Sequence, residues 1–319
     1  MDPAYVEKPT ENSDSKESDL EQSCISTSEE EINGGGVILD EDHPWLDRAY
    51  YLKRCPSIND AFCFEIFEVR VSHSTKTSGK IHGTIYIDSS LGVYNLYKRN
   101  KNNAETISFP GTITLAGLPF ALRADDPFIM HLDLWHGSDE VSKGFTTEIS
   151  PFGWRLVDED ITDEVRGRNG AALVTYAVVS SPLVASVEVI LIKGNRKSGA
   201  KIYGTITASM TGWDVKRVLF CKKRAKYISV NRSEPIPLLR SLLIVARTSA
   251  LHVDLDLADA FSFPNAPIAS GVAKFSFDCD RAETTQTISG KFGEIEVKVN
   301  WWCYYSHQET YKIRNRYGV

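Results

Sequence analysis

From Phe62 to Ser72 the side chains alternate with a period of two. Phe62, Phe64, Ile66, Glu68 and Arg70 fall on one side, and Cys63, Glu65, Phe67, Val69 and Val71 on the other. Apolar residues on both sides predict a mostly buried strand. Lys80 to Asp88 repeats the period, with Ile81, Gly83, Ile85 and Ile87 sharing a face. Short strands are predicted near Tyr94 to Lys98, Glu105 to Ser108 and Thr112 to Leu115. A longer one follows from Phe128 to Trp135, where Ile129, His131, Asp133 and Trp135 oppose Met130, Leu132 and Leu134. Ser150 to Asn169, containing Asp158-Glu159-Asp160, reads as a polar linker with room for one short helix. Strands are then predicted at Leu183 to Ile192, Lys201 to Met210, Lys216 to Cys221, Tyr227 to Val230, Leu242 to Arg247, His252 to Ala258, Gly271 to Phe277 and Gly293 to Trp302. No long segment carries a 3.6-residue period, and turn residues separate the strands at the spacing of a sandwich or barrel.

The second run copies the first. Ser78-Gly79-Lys80-Ile81-His82-Gly83-Thr84-Ile85 returns as Ser198-Gly199-Ala200-Lys201-Ile202-Tyr203-Gly204-Thr205-Ile206, an offset of 121 from Lys80 to Lys201. At that offset Ile107-Ser108 meets Ile228-Ser229, and His131-Leu132-Asp133-Leu134 meets His252-Val253-Asp254-Leu255. A strand from Gly170 with Ala172, Val174, Tyr176 and Val178 on one face also answers one from Gly293 with Ile295, Val297, Val299 and Trp301. Gly79 is expected at a turn and Gly83 at a bulge or close backbone approach. The expected fold is all-β: two tandem, internally duplicated, mostly antiparallel β-sandwich-like halves with a disordered N-terminal tail. The expected divisions are residues 1–42 as an acidic tail, 43–180 as the first repeat with an entry segment and linker, 181–305 as the second repeat, and 306–319 as a flexible C-terminal tail.

Composition alters this picture chiefly at the amino terminus. With 42% hydrophobic and 10% aromatic residues over 319 positions, the chain can bury a sizeable core. Residues 1–42 hold 13 acidic residues against Lys8 and Lys16, leaving 29 acids and 34 bases elsewhere, so a net charge of −6 divides into about −11 and about +5. Such a tail buries too little apolar surface to offset the entropy of ordering. Its Ser26-Thr27-Ser28-Glu29-Glu30-Glu31 run fits acidophilic kinases, although a solubilising tail is the plainer reading. No apolar run is long enough to span a bilayer and no secretory leader is evident, so the expected compartment is cytoplasmic or nuclear. The six cysteines are dispersed, without a Cys-x-x-Cys pair, and are expected to stay reduced, most of them as small fillers of strands.

Several short stretches carry a family resemblance. They are Glu65 to Val71, Asn102-Asn103-Ala104-Glu105-Thr106-Ile107-Ser108, Leu115-Ala116-Gly117-Leu118-Pro119, Asp126-Pro127-Phe128, Val184 to Val189 and Ile295 to Trp301. Together they resemble a plant family, best represented in grasses, whose defining domain is of unknown function and is sometimes fused to a ribosome-inactivating N-glycosidase domain. The resemblance spans roughly residues 60–305; Ala104 stands where the family has Cys, and Ala116 where it has Thr. It implies a stress- or defence-associated interaction module with a protein partner, and it brings no catalytic residues.

Candidate chemistry is sparse. Glu164-Val165-Arg166-Gly167-Arg168 has the wrong spacing for the glycosidase Glu and Arg pair and lies in the expected linker. His131 with Asp133, and His252 with Asp254 and Asp256, offer metal or acid–base groups on two strands, but alternation places them on a solvent face. Asp254, Asp256 and Asp259 with Asp125 and Asp126 lack the full acidic set of a calcium site. No phosphate loop or nucleophile elbow is present, and Asn231-Arg232-Ser233 is expected to go unglycosylated. No catalytic residue, metal or cofactor is therefore expected, the alternative being an enzyme of glycosidase or metal-dependent hydrolase type. The repeat itself supplies one binding candidate. Lys98, Arg99 and Lys101 in the first copy, and Lys222, Lys223, Arg224 and Lys226 in the second, form basic clusters on equivalent loops. Tyr97 and Tyr227 lie nearby to stack on bases, so RNA or an anionic lipid surface is the expected polyanion, against the plainer reading of solvated hairpins.

Overall fold

The computed structural model describes residues 62–89, 92–124, 128–145, 157–196, 198–261 and 267–303. The expected acidic tail, the entry segment, the C-terminal tail, Asp125 and Asp126 lie outside the described residues.

The chain is all-β, as the alternation predicts. Its first half contains β1 (Phe62–His73), β2 (Ser78–Ser89), β3 (Gly92–Arg99), β4 (Glu105–Ser108), β5 (Gly111–Thr112), β6 (Leu122–Arg123), β7 (Phe128–His136), β8 (Asp139–Phe145), β9 (Asp160–Arg166) and β10 (Gly170–Ser180). Its second half contains β11 (Pro182–Lys193), β12 (Gly199–Met210), β13 (Arg217–Lys222), β14 (Ile228–Asn231), β15 (Leu242–Ala246), β16 (Leu251–Asp259), β17 (Pro267–Phe275), β18 (Glu283–Gly290) and β19 (Gly293–Cys303). All named pairings are antiparallel.

Each half has two sheets. One sheet of the first half runs β3-β2-β7-β8 with β4 also on β2, and its counterpart runs β13-β12-β16-β17 with β14 on β12. The other runs β5-β1-β10-β9, and its counterpart β15-β11-β19-β18. The inward faces of each pair meet, burying Ile81, Ile85, Leu132, Val174 and Val178 in the first half and Ile202, Ile206, Leu255, Val297 and Trp301 in the second. Burial at this scale is what offsets the ordering entropy of so many strands.

The register revises the sequence offset. Gly83 and Gly204 are counterparts, both at positive φ, and a Cβ on either would overlap a backbone carbonyl oxygen, that of Asp133 or Asp256. Tyr86 stands opposite His131 in β7, whereas its counterpart Thr207 stands opposite Asp254 in β16. The counterpart of His131 is thus Asp254 rather than His252, and that of Ile107 is Val230 rather than Ile228. The β12–β13 hairpin is two residues longer than the β2–β3 hairpin, which moves every later anchor from an offset of 121 to 123.

Three further features depart from the sequence reading. Within the segment expected as a polar linker, Asp160–Arg166 forms β9, an edge strand on β10 whose outward side chains are charged or polar, a composition suited to an exposed sheet edge. In β1 a bulge between Ile66 and Glu68 interrupts the period of two. Phe64, Ile66, Val69 and Val71 therefore all enter the first core, while Cys63 and Phe67 join the core of the second half. Cys63 is a buried thiol outside any disulfide, matching a small filler, and Cys279 is an exposed one. Cys221, in contrast, is disulfide-bonded, which dispersed cysteines without a spacing motif do not reveal.

The halves meet over a buried polar knot. The Glu65 carboxylate accepts a hydrogen bond from Ile244 N at 2.9 Å and lies 3.2 Å from Arg217 Nη1 and 3.7 Å from Arg240 Nη1. Arg217 donates to Ile244 O at 3.1 Å and Arg240 to Ile66 O at 2.8 Å. Phe67 packs between the Arg217 guanidinium and the Trp213 ring. Burial pulls Arg240 below its ordinary pKa, with Glu65 opposing the shift and Arg217 adding to it.

Candidate functional site

The two basic clusters lead into equivalent connections, because β3 ends at Arg99 opposite Gly83 and β13 ends at Lys222 opposite Gly204. Their side chains then part ways. In the first half Arg99 turns inward, its Nε 3.4 Å from Glu105 Oε2 and its guanidinium 5.6 Å from the Tyr97 ring centre. Glu105 is fully buried, and its Oε1 accepts from Thr114 N at 3.0 Å and Thr114 Oγ1 at 2.7 Å. Desolvation raises the Glu105 pKa, with Arg99 and Thr114 opposing. Tyr97 is buried as well and donates its hydroxyl to Ile81 O at 2.8 Å, so it offers no ring face to a base. Asn100 and Asn103 close the connection on itself through Asn100 N to Asn103 Oδ1 and Asn103 N to Asn100 Oδ1. Of this cluster Lys98 and Lys101 are exposed.

The second half lacks the inward carboxylate. Ile228, opposite Ile202, occupies the place that Glu105 takes opposite Ile81. Its connection instead forms a single 3-10 turn, Arg224–Lys226, with no buried residue. Lys223, Arg224 and Lys226 are exposed, and Lys222 is half-buried. Arg224 donates Nε and Nη2 to Ala260 O at 3.2 and 3.0 Å, fastening this turn to the β16–β17 connection. Next to that contact Phe261 is 58% exposed. Its ring meets Tyr227 edge-to-face at 5.3 Å, and the Arg196 guanidinium lies 5.2 Å from its centre. Tyr227 in turn has Lys201 Nζ 4.9 Å from its ring centre, and the same ammonium donates to Ser229 Oγ at 2.7 Å. Buried Asp259 accepts from Phe261 N at 3.0 Å and so fixes the backbone that presents the ring.

This end of the second half thus displays an apolar ring among Arg196, Lys201, Lys223, Arg224 and Lys226. The basic run in the sequence points to the last three but not to Phe261, Arg196 or Lys201. An aromatic residue in a Pro-bounded turn segment, Ala260-Phe261-Ser262-Phe263-Pro264, is the available signal.

The His and Asp faces lie where alternation places them. His131 stacks on Tyr86 with ring centres 4.6 Å apart, and Asp133 accepts from Trp135 Nε1 at 2.6 Å. His252 Nε2 is 3.4 Å from Thr211 Oγ1, and Asp254 pairs with Lys216 at 3.3 Å. Glu164 and Arg166 form an exposed pair on the edge strand β9 rather than on a helix. Among the described residues no helix is long and apolar enough to cross a membrane.

Two sheets per half, packed face to face with antiparallel neighbours, make the protein a tandem β-sandwich with one cationic end. Residues 63–299 match the family of the domain of unknown function DUF6598, and the chain belongs to that family. No curated protein matches it. Among solved structures it is similar to the calcium-bound pair of C2 domains of Extended-Synaptotagmin 2, at 12% identity over 77% of this chain and 97% of that one, with a TM-score of 0.24. It is also similar to human GIVD cytosolic phospholipase A2, at 7% identity over 76% of this chain and 33% of that one, with a TM-score of 0.23. At such scores the superpositions are too loose to carry any residue of either protein over to this chain.

Proposed function

We propose that the chain is a non-catalytic interaction module that docks on an anionic phospholipid surface through the cationic end of its second half. The carrying observation is Phe261, left 58% exposed while Arg196 and the Arg224 turn are held against it. A Lys or Arg close to an anionic leaflet contributes about 1 kcal/mol, and an apolar ring adds what it buries at the headgroup boundary. RNA is the less favoured polyanion, because Arg196 and Lys201 already cover a face of Phe261 and of Tyr227, the rings a base would stack on. The resemblance to a grass family with defence-related fusions fits a stress setting, in which a protein partner would join the module at the surface. The acidic run of residues 1–42 would compete for the same cations.

Cosedimentation of the full chain with phosphatidylserine and phosphatidylcholine vesicles over a salt series tests this reading. Retention is expected on the anionic vesicles alone, falling steeply with salt. K223S/K226S is expected to remove roughly 2 kcal/mol, about thirtyfold in partition. Equal retention on both vesicle types would sink the reading, and salt-sensitive retention of single-stranded RNA without any vesicle binding would replace it by the RNA alternative.

A further inference from the structure

A second constellation lies in the first half, where its two sheets meet at one end. His73 is the last residue of β1, His136 the last of β7 and Asp139 the first of β8. The two-residue turn Gly137-Ser138, with Gly137 at φ 64, sets His136 directly opposite Asp139, so both side chains leave one face of the sheet. His73 reaches them from the facing sheet. The three ligand atoms lie within 4.8 Å of one another, with Asp139 Oδ2 3.7 Å from His73 Nε2 and 3.9 Å from His136 Nδ1. These separations are too long for hydrogen bonds. His73 Nε2 and His136 Nδ1 are accordingly buried without a hydrogen-bond partner, the His73 side chain being 2% exposed. An unsatisfied buried polar atom is costly, and two aimed at one carboxylate oxygen call for a common partner.

The walls are built to hold the imidazoles. The Phe109 ring centre lies 5.6 Å from that of His73 and 6.1 Å from that of His136, and the two imidazoles meet edge-to-face at 5.5 Å. A Cβ at Gly79 would overlap Cδ2 and Nε2 of His136, so the ring occupies space that only glycine leaves. The sequence alone suggests a turn at Gly79; its place in β2, against His136, is the stronger reason for glycine there.

We propose that His73 Nε2, His136 Nδ1 and Asp139 Oδ2 bind one divalent transition-metal ion, and that the donor set selects Zn2+ over Ca2+ or Mg2+. Two imidazoles and one carboxylate suit zinc, whereas the hard cations take all-oxygen sites. Around an ion bound at about 2.0–2.1 Å the donors stand about 3.4 Å apart. The observed spacing from Asp139 closes to that by a few tenths of an ångström. Asp139 is 44% exposed, so the fourth position opens to solvent and takes water or an external ligand. Loading also moves a proton. Thr75 N donates to His73 Nδ1 at 3.2 Å, which puts the neutral ring's proton on Nε2. Zinc at Nε2 displaces that proton to Nδ1 and releases the Thr75 amide. The site belongs to the first half alone, since Asp259 stands where His136 does, and it is independent of the lipid reading.

The test uses the full chain, stripped with a chelator and titrated with Zn2+ by calorimetry and with Co2+ by visible absorption. One ion per chain is expected, with Co2+ bands of four- or five-coordinate intensity and faster hydrogen exchange at Thr75 on loading. Asp139→Asn, at a half-exposed position, is expected to weaken binding by about tenfold or more without altering the circular dichroism spectrum. H73Q/H136Q is expected to abolish it. Failure of the wild type to take up Zn2+ or Co2+, uptake undiminished in both variants, or a preference for Ca2+ or Mg2+ would each overturn the proposal.

Discussion

Glu65 and Arg217 lie 3.2 Å apart, buried, and in different halves of the chain. Together with Arg240 they put two cations and one anion into the seam. Removing the anion leaves both guanidinium groups without a countercharge, and breaking a buried pair typically costs about 3–5 kcal/mol. Glu65→Ala is therefore expected to lower the unfolding free energy by that amount in a denaturant titration. E65M/R217M/R240M should recover much of the loss, because replacing all three members restores packing and strands neither guanidinium, whereas E65M/R217M leaves Arg240 buried without its countercharge. A loss below about 1 kcal/mol for Glu65→Ala would show that water reaches the seam.

Arg99 should matter more as pH rises. Burial holds the Glu105 pKa above its unfolded value, so ionising this carboxyl disfavours the fold as pH climbs from the unfolded toward the folded pKa. Arg99 offsets that cost at 3.4 Å. Arg99→Ala is expected to destabilise the protein more above the Glu105 transition, where the carboxyl is ionised, than below it, where the carboxyl holds its proton. Melting temperatures measured across that transition check it; a pH-independent loss would contradict it.

Gly79→Ala introduces a methyl group into the His136 ring. Displacing the ring shifts its Nδ1 relative to Asp139, so zinc and cobalt affinity are expected to drop by about tenfold or more. Overpacking of this kind costs about 1–3 kcal/mol of stability. Unchanged cobalt absorption in this variant would mean that His136 does not hold the ion from its present position.

Phe261→Ser separates folding from surface binding. The side chain is largely exposed, and substitutions at such positions usually stay within about 0.5 kcal/mol in stability. Vesicle retention is nevertheless expected to fall, with its salt dependence little changed because the cations remain. A variant that binds like the wild type would reduce Phe261 to a bystander.

Much of the architecture was legible in the alternation of β2, β7, β10 and their counterparts, because a half-buried strand writes its period directly into the chain. Other features depend on partners distant in sequence. The bulge beside Phe67 is set by β10, and it reverses which residues of β1 face the first core. The longer β12–β13 hairpin left the repeated His-x-Asp letters aligned but moved their places by two residues. Arg99 reads as a surface cation until Glu105 and Thr114 are seen folded beneath it. His73 and His136 are far apart in sequence, with no motif joining them, and only the packing of two sheets brings them to one carboxylate.

The pairing of Ile81 with His136 and of Ile202 with Asp259 gives the two halves a shared address at the end of their third long strand. At that address one half keeps imidazole and the other carboxylate, and the loop beyond differs in kind: a tight turn to Asp139 in one, a longer run through Phe261 in the other. A chain carrying two copies of one scaffold is free to let each copy diverge, since either keeps the common frame. On the two proposals above, that freedom would give two tools on one handle, a grip for a cation and a foot for an anionic surface, and either could be disabled by substitution without touching the residues of the other.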